Sequence, residues 1–168
     1  MLKRHTVRAI LLNSSNQLYL MKIKPNNVSE KDAKPGREFW VTIGGEVEDK
    51  ESDEDALRRE LYEEAGIRSA MIHQPAAWYG EIVLNCNGKE VLFCEHFFIV
   101  NVASDVISQD GLLEHEREVF SDHKWWRMDE LKQSNEVFVP RNVFELLTKI
   151  VNNDTSIRKT EIIDLSIK

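Results

Sequence analysis

The stretch GGEVEDKESDEDALRRELYEEAGI, residues 44–67, decides how this chain is read. Its second half carries the start and stop signals of one helix. Ser52 suits an N-cap, and residues 53–55 put three acids in the first turn, where the helix dipole favours them. Asp55 gives a weak capping box, and Gly66 fits the position just past an end at Ala65. On a wheel of about 100° per residue, Leu57, Leu61 and Ala65 form a narrow apolar stripe. With Leu57 at zero, Glu64 falls at about −20°, Glu60 at about −60° and Glu63 at about −120°. The three glutamates line one margin of the buried stripe. Carboxylates this close repel one another unless something positive joins them. The i, i+3, i+4 spacing lets all three converge on one cation, and carboxylate oxygens suit hard ions such as Mg²⁺ or Mn²⁺. A generic acidic run is more often a solvated helix face. The margin position, and the Gly44-Gly45 pair that permits close backbone approach, argue instead for a metal site serving phosphate chemistry.

Working outward, residues 6–23 read as a β-hairpin turning at Asn13–Asn16. Residues 24–37 are polar with two prolines and a glycine, so a loop is expected, and FWVTI at 39–43 is a short strand. Strand-like stretches follow at 76–86, 89–102 and 123–127, with an acidic loop over 104–122. MDEL opens a short helix. VPRNVFELLTKIVNN forms a longer one, whose Val143, Leu146, Leu147, Ile150 and Val151 make a core-facing stripe. The tail 154–168 has no clear period. The expected fold class is α+β: one domain over 1–153, with helices against a mixed sheet, followed by a tail of unassigned structure.

Composition narrows the function. The 168 residues are 42% hydrophobic and 30% charged, an ordinary globular balance. The net charge of −7 repels polyanions, so a nucleic-acid polymer is not an expected partner. A small phosphorylated substrate remains compatible, because a local metal can outweigh the global charge. No apolar run approaches the roughly 20 residues of a membrane span, and the apolar patch in MLKRHTVRAILL is too short for a signal peptide. Cys86 and Cys94 fall in a predicted hairpin about Asn87-Gly88, in which Cys86 faces Lys89 and Cys94 faces Glu81. Strand geometry then keeps the cysteines roughly 16 Å apart, beyond disulfide reach. Reduced thiols and a cytoplasmic location are the expectation.

At nine positions the opening stretch resembles the Nudix box: Gly45, Glu51, then Arg59-Glu60-Leu61, Glu63-Glu64 and Gly66-Ile67, each at the family spacing. The resemblance extends loosely to the hairpin before the box, the Trp-containing strand entering it, HKWWRMDEL and the last helix. It implies an α/β/α sandwich with a mixed β-sheet between helices. It also implies a metal-dependent hydrolase that cleaves the pyrophosphate bond of a nucleoside diphosphate linked to another moiety. By likeness, Glu60, Glu63 and Glu64 with the Gly44 carbonyl would bind Mg²⁺, for which Mn²⁺ can substitute. Arg59 would orient the glutamates with Glu51 as partner, and Gly45 would give the backbone its close approach. Relatives take their general base from a box glutamate or a later loop. Here Glu60 and Glu63 are box candidates and Glu118 the loop candidate, with Glu114 and Glu116 beside it. Arg37 is a candidate phosphate contact, and Trp40 a candidate base-stacking residue, as are Phe39, Trp78 and Tyr79. Ile43 stands where the family usually has proline. A homodimer is compatible, since many Nudix proteins form one. The competing readings are a non-catalytic nucleotide-binding domain and an isoprenoid-diphosphate isomerase, the latter requiring a cysteine near the metal.

Overall fold

The computed structural model describes residues 1–24, 28–30, 37–152 and 159–166, the side chains of 28–30 excepted. Among these residues lie β1 (Leu2–Leu12), β2 (Leu18–Ile23), β3 (Val28–Glu30), β4 (Phe39–Val41) and β5 (Ile43–Glu46). Helix α1 (Asp53–Ala65) follows, then β6 (Met71–Ile72), β7 (Trp78–Cys86) and β8 (Lys89–Asn101). The chain continues through α2 (Glu114–Val119), β9 (Phe120–Trp126), α3 (Met128–Gln133), α4 (Val143–Asn152) and β10 (Glu161–Ile162). The strands form one mixed sheet in the order β10-β7-β8-β1-β2-β4, with β3 beside β7, β5 beside β1, β6 beside β8 and β9 beside β2. β1 runs parallel to β8, and β10 parallel to β7.

The apolar run of β1 explains the layering. Side chains alternate across a strand, so an uninterrupted apolar run is stable only with both faces covered. Val7, Ala9 and Leu11 pack with Ala56, Leu57, Leu61 and Ala65 of α1. Ile10 and Leu12 point the other way and join Leu131 of α3 and Leu146 and Leu147 of α4. Each fully buried side chain of this size contributes about 1.5–3 kcal/mol. The result is the expected α+β fold, an α/β/α sandwich.

Several local expectations change. β1 and β2 pair at Leu12–Leu18 and then part, β1 toward β5 and β8, β2 toward β4 and β9. FWVTI is two strands, because the chain changes partner at Thr42: Phe39–Val41 pairs with β2 and Ile43 onward with β1. The expected loop 24–37 contains β3 on the edge of β7, while residues 25–27 and 31–36 lie outside the described residues. Within the expected loop 104–122, residues 114–119 are helical and β9 begins at Phe120. In the tail, 154–158 and 167–168 lie outside the described residues, but β10 joins the sheet and Leu165 is buried. The second hairpin forms as expected, with Cys86 opposite Lys89, Cys94 opposite Glu81 and both thiols free. No helix among the described residues is long and apolar enough to cross a membrane.

Candidate active site

Caps and core together fix α1. Ser52 Oγ accepts the Asp55 N–H at 3.1 Å, and Gly66, left-handed at φ 69°, ends the helix by donating to Tyr62 O at 2.9 Å. Leu57, Leu61 and Ala65 are at most 1% exposed. On their margin Glu64 is 3% and Glu60 7% exposed, and Glu63 is half-buried. The helical period therefore puts two carboxylates inside the protein and a third at its lip.

Arg59 gathers the acids around it. Its Nε and Nη2 donate to the two carboxylate oxygens of Glu51, both at 2.9 Å, a two-pronged bond that fixes the plane of the guanidinium. Nη2 also donates to Glu46 O at 3.1 Å. Nη1 donates to Glu60 Oε1 at 2.9 Å and lies 3.5 Å from Glu63 Oε2. The bond to Glu51 raises the pKa of Arg59 although burial opposes it. In return the bond to Arg59 holds the Glu51 carboxyl at about 2, against the pull of burial.

Glu60 and Glu64 are less well balanced. Burial pushes the Glu60 carboxyl upward; Arg59 opposes this by charge and hydrogen bond, and Glu63 and Glu116 add to the rise. Glu64 lies well above the usual carboxylate range, first from burial and next from the charge of Glu60. Arg8 and the Gly44 N–H, which donates to Glu64 Oε2 at 3.4 Å, pull it back in part. Two buried carboxylates with incomplete compensation, and a third beside them, form a donor set suited to a hard divalent cation. Among the described residues, no three His, Cys, Asp or Glu side chains are gathered around one metal position. Both Glu60 and Glu63 face Arg59 Nη1 instead.

The double glycine serves close approach. A Cβ on Gly44 would lie 2.0 Å from Val7 O, and one on Gly45 would lie 2.2 Å from Glu60 Oε1. Ile43, in the position where proline was the usual family residue, is fully buried in the α1-side core.

A cleft of about 270 Å³ lies beside Arg8, between residues of β1, β2, β4, β7 and β8. Its lining is mainly apolar and includes Phe39, Val41, Ile82 and Phe93. Arg8 and Glu95 provide its polar floor: Arg8 Nη2 donates to Glu95 Oε1 at 3.1 Å and Nη1 to Thr42 O at 3.2 Å. Burial works against the Arg8 charge, but Glu95, Glu64 and Glu60 more than offset it and raise its pKa. Arg8 therefore both lines the cleft and acts on the carboxylate cluster. Sequence reasoning missed Arg8 and Glu95. The available signal was one charged residue inside each of two apolar strands, Arg8 within TVRAILL and Glu95 within LFCEHFFIV.

Other expected site residues are dispersed. Trp40 is a correction: it is 3% exposed, edge-on to Trp126 at 5.0 Å, and belongs to the α3–α4 core. Alternation along β4 turns Trp40 inward and leaves Phe39 on the cleft. Arg37 is exposed and outside the cleft lining. Glu118 is exposed on α2, whereas Glu116 is the α2 carboxylate whose charge acts on both Glu60 and Glu64. Neither cysteine lines the cleft, and Cys94 Sγ instead approaches Glu81 Oε1 at 3.9 Å.

A family model described as NUDIX domain matches residues 2–147. Solved structures agree at the level of the fold. The MutT protein from Methanosarcina mazei Go1 superposes with a TM-score of 0.61 at 19% identity, over 90% of this chain and 97% of its own. The NUDIX domain of Shewanella oneidensis NrtR, complexed with ADP ribose, gives 0.56 at 15% identity, over 90% of each chain. A Caenorhabditis elegans Ap4A hydrolase gives 0.51 at 18% identity, over 88% of this chain and 95% of its own. No curated protein matches the chain by sequence.

Proposed function

This chain belongs to the Nudix family, and from that premise we propose that it is a divalent-metal-dependent hydrolase opening a pyrophosphate bond in a nucleoside diphosphate derivative, by attack of water on phosphorus. Nudix hydrolases generally cleave such derivatives and generally use divalent metals. The observation that carries the reading is the carboxylate set on α1, with Glu60 and Glu64 buried and under-compensated and Glu63 at the lip. We assign Glu60, Glu63 and Glu64, with the Gly44 backbone, to holding Mg²⁺. Bound there, the cation supplies charge neutralisation at phosphoryl oxygens and a lowered pKa for its water.

The chain's own groups do the remaining work. Arg59, locked by Glu51, orients Glu60 and Glu63. Arg8 offsets negative charge behind Glu64. For the proton-accepting role the candidates stay the box glutamates Glu60 and Glu63 and, on α2, Glu118 with Glu116 beside it.

The test is turnover of nucleotide sugars, dinucleoside polyphosphates, ADP-ribose and nucleoside triphosphates, with and without Mg²⁺. Metal-dependent cleavage of at least one class is expected. Glu63→Gln with Glu64→Gln should lower the rate by at least about a hundredfold, the scale of losing charge stabilisation at the reacting phosphorus. Undiminished hydrolysis by that double variant would sink the metal assignment. Tight nucleotide binding without product, from the wild type, would mark a binding module instead.

A further inference from the structure

The segment between β8 and α2 is fastened by its backbone to the last turn of α1. A helix leaves its final carbonyls without partners of its own. Ala65 O, one of these, accepts the Ser108 N–H at 2.9 Å. Gly111 lies so close to the helix that a Cβ there would stand 2.8 Å from Glu63 O and 3.3 Å from Glu63 Cα. On either side, Ile107 and the buried Leu112 pack into the α1-side core. Residues 108–111 therefore rest on the turn that carries Glu63 and Glu64, and glycine at 111 leaves the space for it.

One side chain ties this segment to α2. Arg117 Nε donates to Leu112 O at 3.3 Å, and Nη2 donates to Gln109 O at 3.2 Å and to Asp110 O at 3.1 Å. The Arg117 backbone N–H donates to Leu113 O at 3.0 Å. Gln109 O also accepts the Leu112 N–H at 3.1 Å, so a turn gathers the carbonyls that the guanidinium takes. All three side-chain acceptors are backbone carbonyls. A planar fork of donors can hold several such acceptors at set angles, which a lysine ammonium, a point charge on a flexible stem, does not reproduce.

We propose that Arg117 is a positioning residue of this site: by gathering the carbonyls of 109, 110 and 112 it holds residues 108–111 as a brace against α1. The brace fixes the turn bearing Glu63 and Glu64, and ties to it the helix α2 that carries Glu116 and Glu118. The proposal rests on the reading of Glu63 and Glu64 as groups that hold the cation. The apolar stripe of α1 fixes only the buried side of the helix. Glu63 is half-buried, and Arg59 Nη1 approaches its carboxylate at 3.5 Å. The backbone of that turn is held from outside by the contacts at Ser108 and Gly111. Groups that orient a metal's ligands change metal affinity or turnover by about 10- to 100-fold when they are removed.

The experiment measures wild type, Arg117→Met, Arg117→Lys and Gly111→Ala by calorimetric titration with Mn²⁺ in the absence of substrate, by amide hydrogen exchange and by thermal melts. Arg117 is exposed, so Arg117→Met should melt within about 3 °C of wild type. Its Ser108 amide should exchange at least about tenfold faster, because the bond to Ala65 O opens locally. The Ala56 amide, bonded to Ser52 O at the other end of α1, should keep its rate. The Mn²⁺ dissociation constant should rise by about tenfold or more, and Arg117→Lys should stay nearer to Arg117→Met than to wild type. Gly111→Ala presses on the Glu63 backbone and leaves Arg117 in place; it should also weaken Mn²⁺ binding, and it decides the matter should Arg117→Met fail to fold. Mn²⁺ affinity within about twofold of wild type in the folded variants overturns the proposal. So do equal acceleration of the Ser108 and Ala56 amides, an unchanged Ser108 amide, or full recovery by Arg117→Lys. A wild type that binds no Mn²⁺ overturns the metal assignment and the proposal with it. A wild type that binds Mn²⁺, loses it in the variants and hydrolyses nothing overturns the hydrolase reading and leaves the brace in place.

Discussion

A Cβ added to Gly44 and one added to Gly45 meet different things, and so the two glycines make different predictions. At Gly44 the obstacle is backbone, Val7 O at 2.0 Å, which cannot move without parting β5 from β1. Gly44→Ala is expected to destabilise the protein by about 1–3 kcal/mol, read from urea melts. At Gly45 the obstacle is the Glu60 carboxylate, the end of a side chain held by Arg59. Gly45→Ala should leave the melt within about 1 kcal/mol of wild type. It should still lower turnover by about a hundredfold, because the displaced group is one that the reaction needs. Equal losses of stability in the two variants would contradict this assignment. Glu51 makes a pH prediction. Its folded pKa of about 2 lies below the ordinary 4.5, so its bond to Arg59 stabilises the folded state above the ordinary value and is lost as pH falls toward 2. The melting-temperature advantage of wild type over Glu51→Gln should therefore be full at about pH 6 and shrink by about pH 3. An advantage that stays constant over that range would show that the bond does not carry the linkage.

At the scale of the element, α1 is a short amphipathic helix whose polar margin has the functional role. Its apolar stripe docks on β1, and this docking carries Glu60 and Glu64 inward, where water cannot screen them. Its first turn depends on Ser52 Oγ for one of the orphan N–H groups. Ser52→Ala should cost about 1 kcal/mol in a chemical melt, and Ser52→Gly only a few tenths. No difference between the two substitutions would mean that the side-chain cap is not what holds the turn. At this scale the sequence was informative: caps, stripe and acidic margin all sit within 23 residues, so local rules apply to them. FWVTI was not legible in the same way. Its partner change at Thr42 depends on β1 and β2, which local pattern does not see.

At the scale of the molecule, Arg8 and Glu95 join β1 to β8 across 87 positions of sequence. Their side chains are 21% and 9% exposed, so removing one partner leaves the other charge largely without water. Arg8→Met is expected to cost about 3 kcal/mol, the scale of an isolated buried charge. Arg8→Met with Glu95→Leu should cost less than Arg8→Met alone, a sign reversal from additivity that a double-mutant cycle in urea reads directly. A double variant that costs as much as the two singles added together would show that the two charges are not coupled. The return of residues 159–166 to β7 also belongs to this scale, since a two-residue strand is stabilised by the edge it joins and has no periodicity of its own.

The sequence by itself determined the α1 carboxylate set, through spacing along one helix, and the fold class, through the pattern of strands and helices along the chain; the pairing of Arg59 with Glu51 came from the family resemblance. Tertiary structure decided which aromatic faces the cleft, Phe39 and not Trp40. It also brought Arg8, Glu95 and Leu165 to one cleft from three distant parts of the chain. The physical reason is range. Helical period and capping act over a few residues and can be read directly, whereas burial, strand partner and charge coupling depend on which distant segments fold against one another.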